Sequence, residues 1–386
     1  MRPTCGIFTN IAPLYSRSLW YELSSSENVE YSFYSSRNGF SGIKTIDINE
    51  AKSESINGKL NWFFLKNVFI KDILVFQIGL ISACLRTNYD VYIFSGEMYS
   101  VSNWLAALIC RVRNKPVMYW GHGLYGNEKI VKKAVRLLYY KIADYHLVYA
   151  ERSRKLMIGS GFIPEKVFTV YNSLDFLTLN NLYDNRSSSD LAELRKMVFP
   201  ERSERPIVIF IGRLTKEKKI SYLLESMALC KQKGNEYNCL IVGGGVDSEN
   251  LKRLTDSLDI SDSVCFYGPS YNEIINAKLI MIAECCVSPG NVGLTAIHSL
   301  SLGTPVITHN NMCNQGPEAD AVIPGITGML FEENNIQNLS EVIDNFILNK
   351  KKLSMEPKCI KEVEIYWNPI KQTSVFDKAV LDSLGN

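Results

Sequence analysis

Arg213 and Lys218 stand five residues apart in "FIGRLTKEKKI", directly after a β-branched run that reads as a strand ending at Gly212. Two cations at a strand's carboxyl end, beside a helix start, suit a phosphate or diphosphate. Each charge-assisted contact of that kind contributes about 1.5–3 kcal/mol. Read alone, the segment is equally a solvated basic turn, because four of residues 213–219 are Lys or Arg. A second stretch, "SPGNVGLTAIHSLSLGTPVI" (288–307), is a glycine-rich turn, a short helical pattern, a glycine stop and a β-branched run. Gly290 and Gly293 free the backbone around Asn291, Val292 and Leu294, and the helix start offers N–H groups with partial positive charge. No acid occurs from Gly290 to His298. One phosphoryl group shared by this turn and the Arg213/Lys218 pair is the expectation. A third stretch, "LIVGGGVDSENLKRL", ends a strand on Gly243 and Gly244. It lacks the third glycine of a dinucleotide fingerprint, so it reads as a tight turn that lets backbone approach a ligand.

These loops need strands to carry them. Short β-rich runs alternate with amphipathic stretches along all 386 residues. Strand candidates are "CGIFTN", "VEYSFYS", "DVYIFSG", "PVMYWGH", "YHLVYA" and "KVFTVYN" in the first half. The second half has "PIVIFIG", "YNCLIVG", "SVCFYG", "ECCVSP" and "PVITHN". Such alternation predicts parallel sheets with helices on both faces, and the apolar, non-alternating strands agree. The fold class is α/β, in two doubly wound domains. The first domain spans 1–185, a polar linker 186–205, and the second domain 206–365. The terminal segment 366–386 forms a separate helix.

Composition bounds the function. Hydrophobic residues make up 46% and charged residues 21%, as in a soluble globular protein. The ten cysteines include no CxxC pair, and no signal peptide is read, so reduced thiols in a cytoplasmic protein are expected. The uncharged run Ile73 to Leu85 is too short to span a bilayer. Residues 1–185 carry 21 Lys+Arg against 15 Asp+Glu, whereas the remainder carries 21 against 25. The first half therefore faces an anionic partner or scatters solvated lysines.

The ordered set "GRL-x3-K", the glycine-rich strand end, "VCFYG", the 288–307 stretch and "GPE…GITGMLF" resembles the retaining glycosyltransferases of the GT-B fold, family 4, also called glycosyl transferases group 1. The resemblance covers nearly the whole chain. It implies two Rossmann-like domains facing a central cleft, with the terminal helix crossing back to the first. It also implies that Arg213 and Lys218 bind the diphosphate of a nucleotide-sugar donor and disperse the charge of the leaving group, with no metal and no cofactor. His122 in "WGHG" would lie near the transferred sugar, or be a packed strand-end histidine. Pro269, Ser270 and Tyr271 would lie by the base. The family's two glutamates, separated by seven residues, fall at Gly290 and His298, so the motif is degenerate here. The first contacts donor-sugar hydroxyls in the family and the second the ribose. Asn291 or freed backbone would substitute at the first position. At the second, a neutral histidine offers one donor and one acceptor, or packs on the sheet.

The acceptor side is less constrained. "EKIVKKAVRLLYYK" places Lys129, Lys132, Lys133 and Arg136 at helical spacing, with Ile130, Val131, Val135 and Leu138 as an apolar side. A basic amphipathic helix suits an anionic membrane surface, or else packs on the first sheet. The aromatic-rich stretch 60–85 would continue that surface. The resemblance implies a lipid-linked or saccharide acceptor in bacterial surface polysaccharide assembly, O-antigen or capsule, on the cytoplasmic face of the inner membrane; nucleic acid is not expected. A catalytically weak relative that binds nucleotide-sugar or supports a partner enzyme is the alternative. A GT-B epimerase is the other, against which the missing acid at 290 counts.

Overall fold

The computed structural model describes residues 1–37, 44–46, 60–71 and 73–385. The chain forms two compact units, Met1–Asp175 with Asn368–Asn386, and Phe176–Trp367. Each is a Rossmann-like α/β unit with a mainly parallel sheet.

In the first unit the strands are β1 (Thr4–Ile11), β2 (Glu30–Ser36), β3 (Trp62–Ile70), β4 (Leu74–Ile78), β5 (Val91–Ser95), β6 (Val117–Gly121), β7 (Tyr145–Val148) and β8 (Val167–Thr169). They lie in the order β4-β3-β2-β1-β5-β6-β7-β8. The central strands are buried on both faces, as parallel strands covered by helices must be: Val91, Tyr92, Ile93 and Phe94 are all sealed from solvent. The stretch expected to extend a basic surface is largely a hairpin. β3 pairs antiparallel with β4, Val68 opposite Phe76 and Ile70 opposite Leu74, and the helix Leu80–Arg86 follows. Its aromatic and β-branched residues favour strand over helix. Where β3 is followed by β4 the sheet departs from the all-parallel expectation.

In the second unit the strands are β9 (Ile207–Ile211), β10 (Asn238–Val242), β11 (Val264–Gly268), β12 (Cys285–Ser288), β13 (Val306–His309) and β14 (Gly328–Phe331). Their order, β11-β10-β9-β12-β13-β14, is entirely parallel and reads 3-2-1-4-5-6 in chain order, the Rossmann arrangement. The order reverses between β9 and β12, so a crevice opens outside their carboxyl ends.

The division between units comes earlier than the polar linker suggests. The helix Phe176–Asp184 contacts the helices Glu273–Met281, Thr295–Ser301 and Lys351–Tyr366 of the second unit. Phe176 and Leu179 are buried, and that apolar anchoring draws ten residues assigned to the first domain into the second unit's core. At the other end, the helix Pro369–Leu384 belongs to the first unit. Its Phe376, Ala379 and Val380 pack with Leu19, Trp20, Leu23 and Trp120. Phe376 meets Trp120 edge-on at 5.0 Å, and Trp20 meets Trp120 in the same manner at 5.6 Å.

One buried carboxylate pins this helix. Asp377 accepts from Tyr31 Oη at 2.8 Å, Ser26 Oγ at 2.8 Å and Asn28 Nδ2 at 3.0 Å. The Asp377→Ala variant leaves three donors without their acceptor, and we expect it to lose about 2–4 kcal/mol of stability. Urea denaturation followed by tryptophan fluorescence measures this; an unchanged midpoint would show that the helix is held by its apolar face alone.

Candidate functional site

The sheet order of the second unit brings two of the chemically suggestive loops to one place. The loop after β9 carries Arg213 and the 3-10 turn Lys216–Lys218; the loop after β12 carries Pro289 to Leu294. They touch backbone to backbone: the Gly290 N–H donates to the Lys218 carbonyl at 3.1 Å. A Cβ built on Gly290 would lie 2.2 Å from the Glu217 carbonyl oxygen and 2.9 Å from Lys218 Cα. No side chain fits at 290. The turn before Lys218 occupies the space a side chain at 290 would need.

Lys218 reaches across this contact, its Nζ donating to the Asn291 carbonyl at 2.5 Å. Burial, and then the Arg213 charge, push its ammonium below the ordinary lysine value, while the Glu318 carboxylate acts in the opposite direction. The two cations are thus close enough to feel each other, and Arg213 is exposed. An anion placed between them relieves that repulsion, as in a phosphate site. Glu318 is 5% exposed, on the turn Pro317–Ala321. Its Oε2 and Asn291 Oδ1 lie 2.8 Å and 3.1 Å from the place a Cβ on Gly316 would take, so the "GPE" segment borders the 290–293 turn.

The 290–293 turn is held from behind. Gln315, buried, accepts from the Val292 N–H at 3.0 Å and donates to Thr308 Oγ1 at 2.8 Å. Thr308 Oγ1 donates to the Ser288 carbonyl at 2.8 Å. The helix after the turn runs Thr295–Ser301, starting two residues beyond Gly293. His298 lies in it with its side chain 15% exposed, and its Nε2 is 2.6 Å from Glu273 Oε1. The contact is at ion-pair distance, although the ring and carboxylate are not aligned as a hydrogen bond. Burial raises the Glu273 pKa, but the His298 ring against it outweighs burial and holds the carboxyl below its usual value. Glu273 opens the helix Glu273–Met281, immediately after Pro269, Ser270 and the exposed Tyr271.

The glycines after β10 pack closely against the loop that leaves β9. A Cβ at Gly243 would fall 1.8 Å from the Gly212 carbonyl oxygen, and one at Gly245 2.2 Å from that of Leu214. The close approach is to the neighbouring strand end, sealed by Gly212 N–H to Val242 O at 2.9 Å and Leu214 N–H to Gly244 O at 3.0 Å.

In the first unit, His122 is half-buried after β6, stacked on Tyr125 at 5.6 Å and edge-on to Tyr149 at 5.2 Å. Its loop is braced by residues whose role the sequence hid. Tyr140 Oη donates to the Gly96 carbonyl at 2.9 Å and accepts from the Gly123 N–H at 3.1 Å. Glu128 accepts from the Tyr125 and Gly126 N–H groups, both at 2.9 Å. Arg136 corrects an expectation. Rather than joining the lysines on an outer face, it is 8% exposed, donates to the Gly123 carbonyl at 3.1 Å, lies 3.8 Å from Glu128 and sits over the Tyr125 ring. The helix Ile130–Tyr140 buries Arg136, Tyr139 and Tyr140, and turns Ile130, Val131 and Leu138 out to solvent beside Lys129, Lys132 and Lys133. Its apolar side does not pack on the sheet. Among the described residues no helix is long and apolar enough to cross a membrane.

Comparison with known proteins bears on the same loops. Residues 193–362 match the sequence model of the family glycosyl transferases group 1. This segment holds the paired cations, the glycine turn and His298. An uncharacterized glycosyltransferase of Haemophilus influenzae is 29% identical over 171 residues, 44% of this chain and 46% of its own length. The chain spans about half the length of the curated relatives it matches. Among solved structures, Anabaena HepE in complex with UDP has a TM-score of 0.72 at 15% identity, covering 98% of this chain and all of that one. The apo lipopolysaccharide outer core galactosyltransferase WaaB gives 0.70 at 17% identity, covering 99% of this chain and all of its own. These likenesses establish the two Rossmann-like α/β units of GT-B structures.

The packing at 290 generates a direct expectation. Gly290→Ala should cost about 1–3 kcal/mol, the usual penalty of forcing atoms into a filled space. Because the displaced atoms belong to the turn that carries Lys218, diphosphate affinity should fall in the same variant. Thermal melts paired with calorimetric titration of UDP report both; a variant with parental stability and affinity would show that the 216–218 turn can withdraw freely.

Proposed function

We propose that the chain transfers a glycosyl group from a nucleoside-diphosphate sugar to a hydroxyl acceptor, with retention of anomeric configuration. The observation that carries this reading is the pairing of Arg213 with Lys218 beside the Gly290 turn, at the switch point of a Rossmann-ordered sheet, within the segment that matches the group 1 family. In the reaction the bond between the sugar's anomeric carbon and the diphosphate oxygen breaks as the bond to the acceptor oxygen forms. The acceptor proton passes to a phosphate oxygen of the leaving diphosphate, so no protein nucleophile is required. Arg213 and Lys218 disperse the negative charge that grows on the leaving group, the task a divalent metal performs elsewhere. Pro269, Ser270 and Tyr271 serve the base, His298 the ribose, and His122 the transferred sugar.

The acceptor we assign is a lipid-linked saccharide in surface polysaccharide assembly, reached at the cytoplasmic face of the membrane. Two things support it: the lipopolysaccharide role printed for WaaB, and the outward apolar residues Ile130, Val131 and Leu138 flanked by lysines. A lysine-fringed group of exposed apolar side chains suits an anionic bilayer surface. The absence of room for a carboxylate at 290 also favours a second reading, a relative that binds nucleotide-sugar without transferring it. A donor-hydrolysis assay separates the two.

Arg213→Ala and Lys218→Ala should each lower kcat/KM by about 2–4 kcal/mol of transition-state stabilisation, and turnover should persist in EDTA. Parental turnover in both variants would remove the clamp, and loss in EDTA restored by magnesium would place a metal in the mechanism. Reversing Lys132 and Lys133 to Glu should weaken binding to phosphatidylglycerol vesicles by about 1 kcal/mol per charge at low salt. Co-sedimentation equal to the parent's would leave the helix as a solvated face.

A further inference from the structure

We propose that the hairpin β3–β4 is a membrane-inserting finger, whose outer face enters the hydrocarbon boundary of an anionic bilayer. The inference rests on the reading above that the acceptor is met at a membrane surface. What it adds is a second element, separate from the helix Ile130–Tyr140, and a different kind of contact: insertion of apolar side chains rather than attraction of lysines.

The hairpin is built inside out. Lys66, Val68 and Ile70 stand directly opposite Ile78, Phe76 and Leu74, and opposite residues of an antiparallel pair share a face. One face of the ribbon is therefore five apolar side chains and a lysine. The other carries Asn67 opposite Gln77 and Phe69 opposite Val75. It is the polar pair that turns inward. Asn67 Nδ2 donates to the Asn10 carbonyl at 2.8 Å, and Gln77 Nε2 to the Thr9 carbonyl at 3.1 Å, both near the end of β1. Gln77 is 1% exposed, whereas Ile70 is 48% and Ile78 50% exposed. Ile73, in the turn, is 62% exposed. A ribbon that buries its amides and shows its isoleucines to water forgoes the burial of that face on folding, and such a face marks a surface for an apolar partner.

The surroundings of the ribbon suit a bilayer. β2 ends at Ser36, opposite Leu65, so Lys66 to Ile70 and their partners stand beyond the carboxyl end of β2. The outward N–H groups of β4 are already taken: Val75 donates to the Tyr99 carbonyl at 3.0 Å and Gln77 to Ser102 Oγ at 3.0 Å. Strand addition by a second copy finds these donors occupied. Tyr99 also joins the ribbon to the basic helix, because Lys132 Nζ lies 5.7 Å from the centre of its ring. From Leu80 to Ile142 the chain has nine Lys and Arg against three Asp and Glu, which is the whole basic surplus of residues 1–185. The hairpin adds Lys66 and Lys71 against Asp72. An apolar finger bordered by cations is complementary to lipid chains beneath anionic headgroups.

The experiment is co-sedimentation of the full chain with phosphatidylglycerol vesicles, at low salt and at about 1 M salt, where headgroup attraction is screened. The parent should stay bound at high salt. I70T/L74T, which keeps β-branched residues in both strands, should bind roughly tenfold more weakly at both salts, whereas K132E/K133E should weaken binding at low salt only. A tryptophan placed in the turn, I73W, reads insertion directly. Its emission should shift to the blue on vesicles, and phosphatidylglycerol brominated in the acyl chains should quench it beyond the five native tryptophans. Melting curves accompany each variant, and I73W decides the matter where I70T/L74T is destabilised. A parent released by high salt, parental binding by I70T/L74T, or I73W emission unmoved by vesicles would each overturn the inference and leave the helix alone as the membrane contact. A parent that is dimeric by sedimentation velocity, with I70T/L74T monomeric and binding vesicles as the parent does, would assign the face to a second copy and overturn it as well. A parent that binds no vesicle would defeat both this inference and the membrane-surface reading, while leaving glycosyl transfer standing.

Discussion

Strand β9 is hydrogen-bonded on one side to β10 and on the other to β12, with Ile209 opposite Cys286 across the second pairing. That adjacency, between strands some eighty residues apart in the chain, is the constraint on which the candidate site depends. It forces the loops leaving β9 and β12 to rise from the same edge and to share a narrow space. Where they meet there is room for backbone only, so Gly290 rests on Glu217 and Lys218. Once that contact is made, Lys218 can reach Asn291, and the turn behind must be tied off by Gln315 and Thr308. Each polar contact is a consequence of the strand pairing rather than an independent addition.

Within this frame the acidic groups are distributed differently from the motif the chain resembles. Neither 290 nor 298 carries an acid, yet two glutamates border the same loops: Glu318 acts on Lys218, and Glu273 lies against His298. Carboxylates can be exchanged between neighbouring loops more readily than a backbone path can be altered, because their interactions depend on charge and a few ångströms of reach.

Much of this was legible in the sequence. The alternation of apolar runs and amphipathic stretches gave the α/β class, and the strand candidates fall on β1, β2 and β5–β13. The cation pair and the glycine turn were visible because they set charged or conformationally free residues directly after a strand end. The antiparallel hairpin was not, since a run of Phe, Leu, Val and Ile has no periodicity that separates strand from buried helix. Arg136 was misassigned because helical spacing shows which residues share a face but not whether that face turns inward; here a guanidinium is sheltered by satisfying the Gly123 carbonyl and stacking on Tyr125. Glu273 stands in the first turn of a helix, where an acid complements the N-terminus. Only the fold brings it to His298, twenty-five residues along the chain. The early division between units escaped for a similar reason: polar composition marks the segment 186–205, but the burial of Phe176 and Leu179 decides where the chain changes allegiance.

The filled space at 290 also bears on which substitutions the site can accept. A glutamate at this position would have to find room for its whole side chain. In this chain the new side chain would collide with a carbonyl of the 216–218 turn, and the same turn carries Lys218. The turn would have to be rebuilt before the acid could return, and rebuilding it disturbs a cation of the candidate site. The position is therefore locked by its neighbours, and a carboxylate near this turn has to come from another loop, as Glu318 does.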